Sequence, residues 1–307
     1  MSKIQDIKDS VVVKINNLSK TFGGKQALDK VSLEVIKGRV LGLVGENGAG
    51  KTTLINHILG AYKPEQGNVS VFGLDPIKYP KEVLSRIGYL SETRDLPRWM
   101  RIDQFIRYIS AFYPSWDMEY ANQLLKQFEL DPKRKIGELS RGELARAGLL
   151  GAIAHRPDLL LLDEPSSGLD PVARMDILSA VVRSVAEEGR TVLFSSHLLD
   201  EVERIADDIC MIHQGRVVLR GTLDDIRDRF HILVVQKSVE TIDFSNIPGV
   251  LWVYQLGHAY EVLFEGGEDE GKERIQQIGG EIVGIQPPSL EEIFVAYVKQ
   301  NRKEVVL

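Results

Sequence analysis

The stretch "GENGAGKT", Gly45 to Thr52, decides the fold, because it stands between the apolar run "RVLGLV" and the helically spaced "TLINHILGAY". A strand that turns through glycines into a helix is the context a phosphate-binding loop requires. Its glycines let backbone N–H groups curl around an anion, and the helix N-terminus adds partial positive charge. Lys51 reaches for the β- and γ-phosphates and Thr52 for Mg²⁺, so Gly45, Glu46, Asn47, Gly48, Ala49, Gly50, Lys51, Thr52 and Thr53 form the candidate nucleotide cradle.

The second half of such a site is "LLLLDEP", Leu159 to Pro165. A buried parallel strand would deliver Asp163 to the sheet edge where the phosphates lie, as a Mg²⁺ ligand, and Glu164 beside it as general base for an attacking water. "SSHLLDEVE" begins at Ser195, at the end of the next strand, so His197 should surface on the same edge, contact the γ-phosphate and order the water.

Outward from these motifs, Ser10 to about Val44 alternates β-rich runs with turns: "SVVVKI", "FGGK", "VSLEVIKG". "GNVSVFG" and "RIGYL" are further strands. Between Thr93 and Arg156 nearly everything reads as helix, a block inserted into an otherwise alternating pattern. "LLLLD", the helix "PVARMDILSAVVRSVAEEG" and "TVLFSS" form a parallel βαβ unit with a right-handed crossover. "DICMIHQGRVVLRG" reads as a hairpin turning at Gln214 and Gly215. The texture changes near residue 222 to strands "ILVVQ", "VLWVYQL" and "YEVLF" with helices "EGKERIQQIGG" and "SLEEIFVAYVKQ". The domains expected are therefore 1–222, with a helical part at about 93–156, and an α+β appendage at 223–307.

Composition sets the limits. The 307 residues suffice for a large core, and 43% apolar with 27% charged is ordinary for a soluble globular chain. A net charge of -6 argues against a nucleic-acid surface, and the basic run "PKRK" (Pro132 to Lys135) is short enough to be a solvated surface. The most apolar region, Leu149 to Leu162, is broken by "HRPD", so nothing approaches the ~20 residues that cross a bilayer. Cys210 is the single cysteine, and "MSKIQDIKDS" lacks the apolar centre of a signal peptide, which together favour a reducing, intracellular location.

Taken in order, these motifs resemble the ATP-binding subunit of an ABC transporter over roughly Val11 to Gly221. "GENGAGKTT" stands as its phosphate loop, "LLLLDEP" as its Walker B strand, "SSGLD" (Ser166 to Asp170) as its D-loop and His197 as its switch histidine. Phe22, which alone would read as core, sits where the family places a ring against adenine. The resemblance implies an α/β P-loop NTPase core with an antiparallel β subdomain and an inserted helical subdomain. It also implies ATP and Mg²⁺ as cofactors and a second ATPase subunit, identical or not, paired head to tail. Separate membrane permease subunits and a place on the cytoplasmic face of the membrane follow.

"LSRGE", Leu139 to Glu143, occupies the position of the family's LSGGQ signature, so Ser140 and Gly142 would serve an ATP held by the other subunit. Ser140 and Glu143 also fit an S-x-x-E capping box, and both readings can hold together. A carboxylate near ATP would repel phosphate unless Glu143 caps the helix or Arg141 offsets it. Where the family carries its Q-loop glutamine, Ser91-Glu92 stands, and Glu92 could approach the metal through oxygen. The tail "SLEEIFVAYVK" resembles ATPases of bacterial exporters with ABC-2-type membrane subunits. Two rivals remain: an ABC protein acting on ribosomes or DNA, and an ATP-gated binding module that hardly hydrolyses.

Overall fold

The computed structural model describes residues 10–186, 189–236, 242–244 and 246–303. Residues 1–9, where a signal peptide was judged absent, and Glu187–Glu188, placed in the helix after Pro171, lie outside them. The chain divides into two compact units, Met1–Arg220 and Gly221–Leu307.

In the first unit, β1 (Val11–Phe22) and β2 (Lys25–Ile36) form an antiparallel hairpin closed by Gly23 and Gly24. Strand β1 runs seven residues past the "SVVVKI" of the sequence reading, because register shifts absorb the polar "NNLSK" and Asn17 takes a left-handed φ of 46°. β3 (Val40–Val44) leads to α1 (Lys51–Ile58), and β4 (Gln66–Val71) returns to the free edge of β1, giving a three-stranded sheet ordered β2-β1-β4.

After α2 (Pro80–Leu84) and β5 (Ile87–Leu90) comes the inserted segment. It is less helical than its composition suggests. Helices α3 (Ile102–Ser110), α4 (Met118–Gln127) and α5 (Arg141–Ile153) are separated by non-helical stretches with one 3-10 turn at Ile136–Glu138. Pro114 and Pro132 lie in those stretches and Pro97 in the non-helical run ahead of α3, where their fixed φ and missing N–H oppose helix. α5 is buried on nearly every side, which is why its Ala, Gly and Leu residues show no stripe.

β6 (Leu159–Asp163), α6 (Pro171–Ala186) and β7 (Thr191–Ser196) follow, then α7 (Leu199–Ile205), β8 (Asp208–His213) and β9 (Arg216–Thr222). The sheet order is β5-β6-β7-β3-β8-β9, with β5, β6, β7, β3 and β8 parallel. β3, β6 and β7 are buried at every position, as parallel strands covered on both faces should be. Register decides function here: Val44 pairs with Ser196 and Asp163 with Ser195, so the ends of β3, β6 and β7 emerge side by side. Gln214 and Gly215 form the expected turn between β8 and β9, with φ of 48° and 79°.

The second unit is a four-stranded antiparallel sheet ordered β11-β12-β10-β13, built from β10 (Phe230–Gln236), β11 (Val250–Leu256), β12 (Ala259–Glu265) and β13 (Glu281–Gln286). Leu233, Val235, Tyr260, Val262, Phe264 and Ile275 form its core. Besides α9 (Glu268–Gln277) and α10 (Leu290–Lys303), it holds two elements the sequence reading passed over: β13 and α8 (Leu223–Arg229), the latter capped by Thr222.

Candidate nucleotide site

At the end of β3 the chain enters a left-handed Gly50 with φ 112°, where a Cβ would sit 2.6 Å from the Ala27 carbonyl oxygen. Only glycine fits that turn. No side chain caps the N-terminus of α1 and its first turn holds no acid, so its positive end is left for a ligand. In front lies a cavity of about 460 Å³ walled by Phe22, Lys25, Ala27, Asn47, Gly48, Gly50, Lys51, Thr52, Thr53, Glu92 and Glu164. Gly45, Glu46 and Ala49 complete the loop behind this wall. Lys51 is only 5% exposed and donates to the carbonyls of Gly45 (2.6 Å) and Glu46 (3.3 Å).

The two strand-end acids are held by a hydroxyl the sequence reading did not single out. Ser195 Oγ donates to Asp163 Oδ1 at 2.6 Å and accepts from the Glu164 N–H at 2.9 Å. Glu164 adopts φ 47°, a left-handed backbone that a non-glycine residue takes only where its surroundings impose it. Its side chain is buried between Lys51 and His197: Oε1 lies 3.0 Å from Lys51 Nζ, and Oε2 2.7 Å from His197 Nδ1. His197 thus meets the cavity through Glu164. Asp163 sits behind the wall, and burial together with its charge pushes the neighbouring Tyr89 hydroxyl up to about 12.

Phe22 is 43% exposed at the cavity mouth. Its ring meets Tyr62 edge-on at 5.3 Å, and Tyr62 in turn meets the buried His57 at 5.7 Å. His57 Nδ1 bonds the Thr53 carbonyl at 2.8 Å, and burial holds its pKa below the ordinary value. Tyr62 and Lys25 were missed because neither belongs to a motif; only the fold brings them to Phe22.

Ser140 and Gly142 are not on the cavity wall of their own chain. The capping box is present: the Glu143 N–H donates to Ser140 Oγ at 3.2 Å and the Ser140 N–H to Glu143 Oε2 at 2.8 Å. Of the two ways offered for accommodating the carboxylate, the structure shows the cap. Glu143 Oε1 is taken at 2.5 Å by Arg134, from the "PKRK" run read as solvated surface. The Ser140 N–H, ahead of Arg134, lowers the Glu143 pKa. Arg141 instead lies by the D-loop, its Nη1 3.5 Å from where a Cβ on Gly168 would be. Gly142 is required by packing, since its Cβ would meet Ala173 Cβ at 2.8 Å. On the D-loop's other flank, Arg94 Nη2 donates to the carbonyls of Pro165 (2.8 Å) and Ser167 (2.9 Å).

A glycine loop that opens an uncapped helix, with acids delivered from a parallel strand of the same sheet one place beyond its neighbour, defines a P-loop nucleoside triphosphatase. Comparison with known proteins narrows the class. Residues 28–167 match the family described as "ABC transporter". The chain is 31% identical to the ABC transporter ATP-binding protein YtrB of Bacillus subtilis (strain 168), over 95% of this chain and 100% of that one. It is also 31% identical to the bacitracin transport ATP-binding protein BcrA of Bacillus licheniformis, over 94% and 98%. The dimeric structure of MJ0796, a bacterial ABC transporter cassette, superimposes with a TM-score of 0.62 at 25% identity, covering 69% of this chain and 98% of that one. The chain belongs to the ATP-binding proteins of ABC transporters. It is the ATP-hydrolysing subunit, and no helix among the described residues is long and apolar enough to cross a membrane.

Proposed function

We infer that ATP lies in the 460 Å³ cavity with its phosphates over the α1 N-terminus and its base against Phe22, and that Glu164 is the general base. The observation that carries this reading is the placement of Glu164, buried at the cavity wall between Lys51 and His197. With ATP bound, Lys51 turns to the phosphates and releases one oxygen of Glu164. That carboxylate takes a proton from water as the water oxygen bonds the γ-phosphorus, and the bridging oxygen departs with its electron pair on ADP. Lys51, the helix N-terminus and His197 hold the charge that develops on the transferred group.

Thr52, Asp163 and Glu92 offer oxygen donors, the hard chemistry Mg²⁺ prefers, and the first and last reach the cavity wall. Among the described residues no cluster of three or more His, Cys, Asp or Glu could hold an ion unaided, so the remaining ligands would be phosphate and water. Bound there, Mg²⁺ would neutralise charge on the β- and γ-oxygens.

Two such subunits pair so that Ser140 and Gly142 of one face the ATP of the other, a reading supported by the dimeric cassette to which the chain is similar. A membrane subunit docks at the helical segment, where Trp99, Tyr108 and Phe112 are exposed, with Tyr108 and Phe112 in edge contact at 5.3 Å. Export is favoured by a relative whose similarity runs through the C-terminal unit, the Nod factor export ATP-binding protein I of Sinorhizobium fredii (strain NBRC 101917 / NGR234), 28% identical over 97% of this chain. Location at the cytoplasmic face follows from that docking.

The test is turnover in Glu164→Gln. Turnover should fall about 10²–10⁴-fold, as for loss of a general base, while ATP still binds. Equal rates in both proteins would remove Glu164 from the chemistry, and equal, negligible rates would favour an ATP-gated binding role.

A further inference from the structure

One buried carboxylate has no part in the chemistry above. Glu201, on α7, is 1% exposed. Its Oε2 accepts Ser166 Oγ at 2.6 Å and Ser196 Oγ at 3.2 Å, and its Oε1 lies 3.2 Å from Arg174 Nε on α6. Ser166 opens the D-loop, immediately after Glu164-Pro165, and Ser196 immediately precedes His197. Both hydroxyls are buried, at 1% and 0% exposure. A buried charge with one partner removed is strongly destabilised, so this node holds its geometry tightly.

The strand period makes the connection two-sided. Neighbouring residues of β7 point to opposite faces, so Ser195 faces Asp163 and Glu164 while Ser196 faces Glu201. Ser196 Oγ also accepts the N–H of Leu198 at 3.0 Å, fixing the turn that carries His197. Ser166 and Ser196 share a single oxygen, so a shift that shortens one bond strains the other.

We propose that Glu201 is a positioning residue that couples the D-loop to the switch histidine: displacement of Ser166 is passed through Glu201 to Ser196 and so to the His197–Glu164 contact. The D-loop ends at the helix α6 cap, where Asp170 Oδ1 accepts the N–H groups of Val172 and Ala173, each at 3.0 Å. It is a short segment braced at that end, and Ser166 ties it to Glu201. This rests on the assignment of Glu164 and His197 as hydrolytic residues, and it adds the means by which contact outside the cavity sets their alignment.

The experiment reads the far end of the tie in the full-length chain without nucleotide. Hydrogen exchange is followed over residues 194–202 in wild type, Ser166→Ala, Glu201→Gln and the double variant. Ser166→Ala should speed exchange of the Leu198 amide about fivefold or more, Glu201→Gln should do the same, and the double variant should add nothing. In parallel, turnover should fall in Ser166→Ala with the ATP dissociation constant within about twofold of wild type, whereas general loosening would raise that constant together with the loss of rate. Unchanged Leu198 exchange in Ser166→Ala, or effects that add in the double variant, would overturn the proposal. Should Glu201→Gln not fold, Ser166→Ala alone decides it. The Glu164→Gln rate tests the hydrolytic assignment separately, so the two can fail independently.

Discussion

Replacing Glu143 tests whether the altered signature is held by its own helix cap. In Glu143→Ala the Ser140 N–H loses its acceptor, about 1 kcal/mol for such a cap. Arg134 loses a partner in a pair whose side chains are 38% and 21% exposed, worth about 0.5 kcal/mol after solvent screening. The sum, about 1.5 kcal/mol, corresponds to a fall of roughly 3–6 °C in the melting of a domain this size. The pH dependence has a definite sign. Because the folded pKa of Glu143 lies below its ordinary 4.5, its contribution is complete well above 4.5 and is lost as pH falls through the folded value. Denaturation midpoints of wild type and Glu143→Ala, measured at pH 7 and in steps down through pH ~3, should converge in acid. Glu143→Gln keeps an acceptor for the cap and should lose only the part due to Arg134. A wild-type advantage that is absent at pH 7, or that stays constant into acid, would refute the assignment of the carboxylate to the cap.

Three further outcomes are expected. Phe22→Ala should weaken ATP by about 1–3 kcal/mol, the usual worth of base stacking, and leave inorganic triphosphate unaffected in the same titration; equal weakening of both would place the base elsewhere. Glu164→Gln should bind ATP about fivefold more tightly, roughly 1 kcal/mol, because Lys51 is no longer engaged, and looser binding in a fluorescent-nucleotide titration would contradict that competition. Cys210, fully buried, has its thiol pushed up to about 12, so a thiol reagent at pH 8 should label it only as fast as the core opens, and immediate labelling of folded chain would be incompatible with this burial.

The parts of the site legible in the sequence are those whose chemistry is local. Gly45–Thr53, Asp163–Glu164 and His197 each carry their own signal, and strand pairing then set them on one edge. Residues that act through packing across the fold were silent. Ser195 gains its role only when its register partner is Asp163, Tyr62 only when it meets Phe22, and Arg134 only when the non-helical stretch before α5 returns it to Glu143. The same holds for the fold. β13 escaped notice because Gly284 and two exposed ends blur the alternation of "EIVGIQ", and a single strand at a sheet margin has little else to announce it.

The contact between Lys51 and Glu164 bears on how nucleotide charge is received. A bare cationic cleft would capture phosphate by long-range attraction, and its affinity would fall steeply with salt. Here the ammonium already has a counter-ion 3.0 Å away, so arrival of phosphate is an ion exchange that leaves the formal charge around Lys51 nearly balanced throughout. Nucleotide affinity should accordingly be tolerant of ionic strength. The carboxylate displaced in that exchange is the proposed general base, so on that proposal the occupied site is the one whose base is set free.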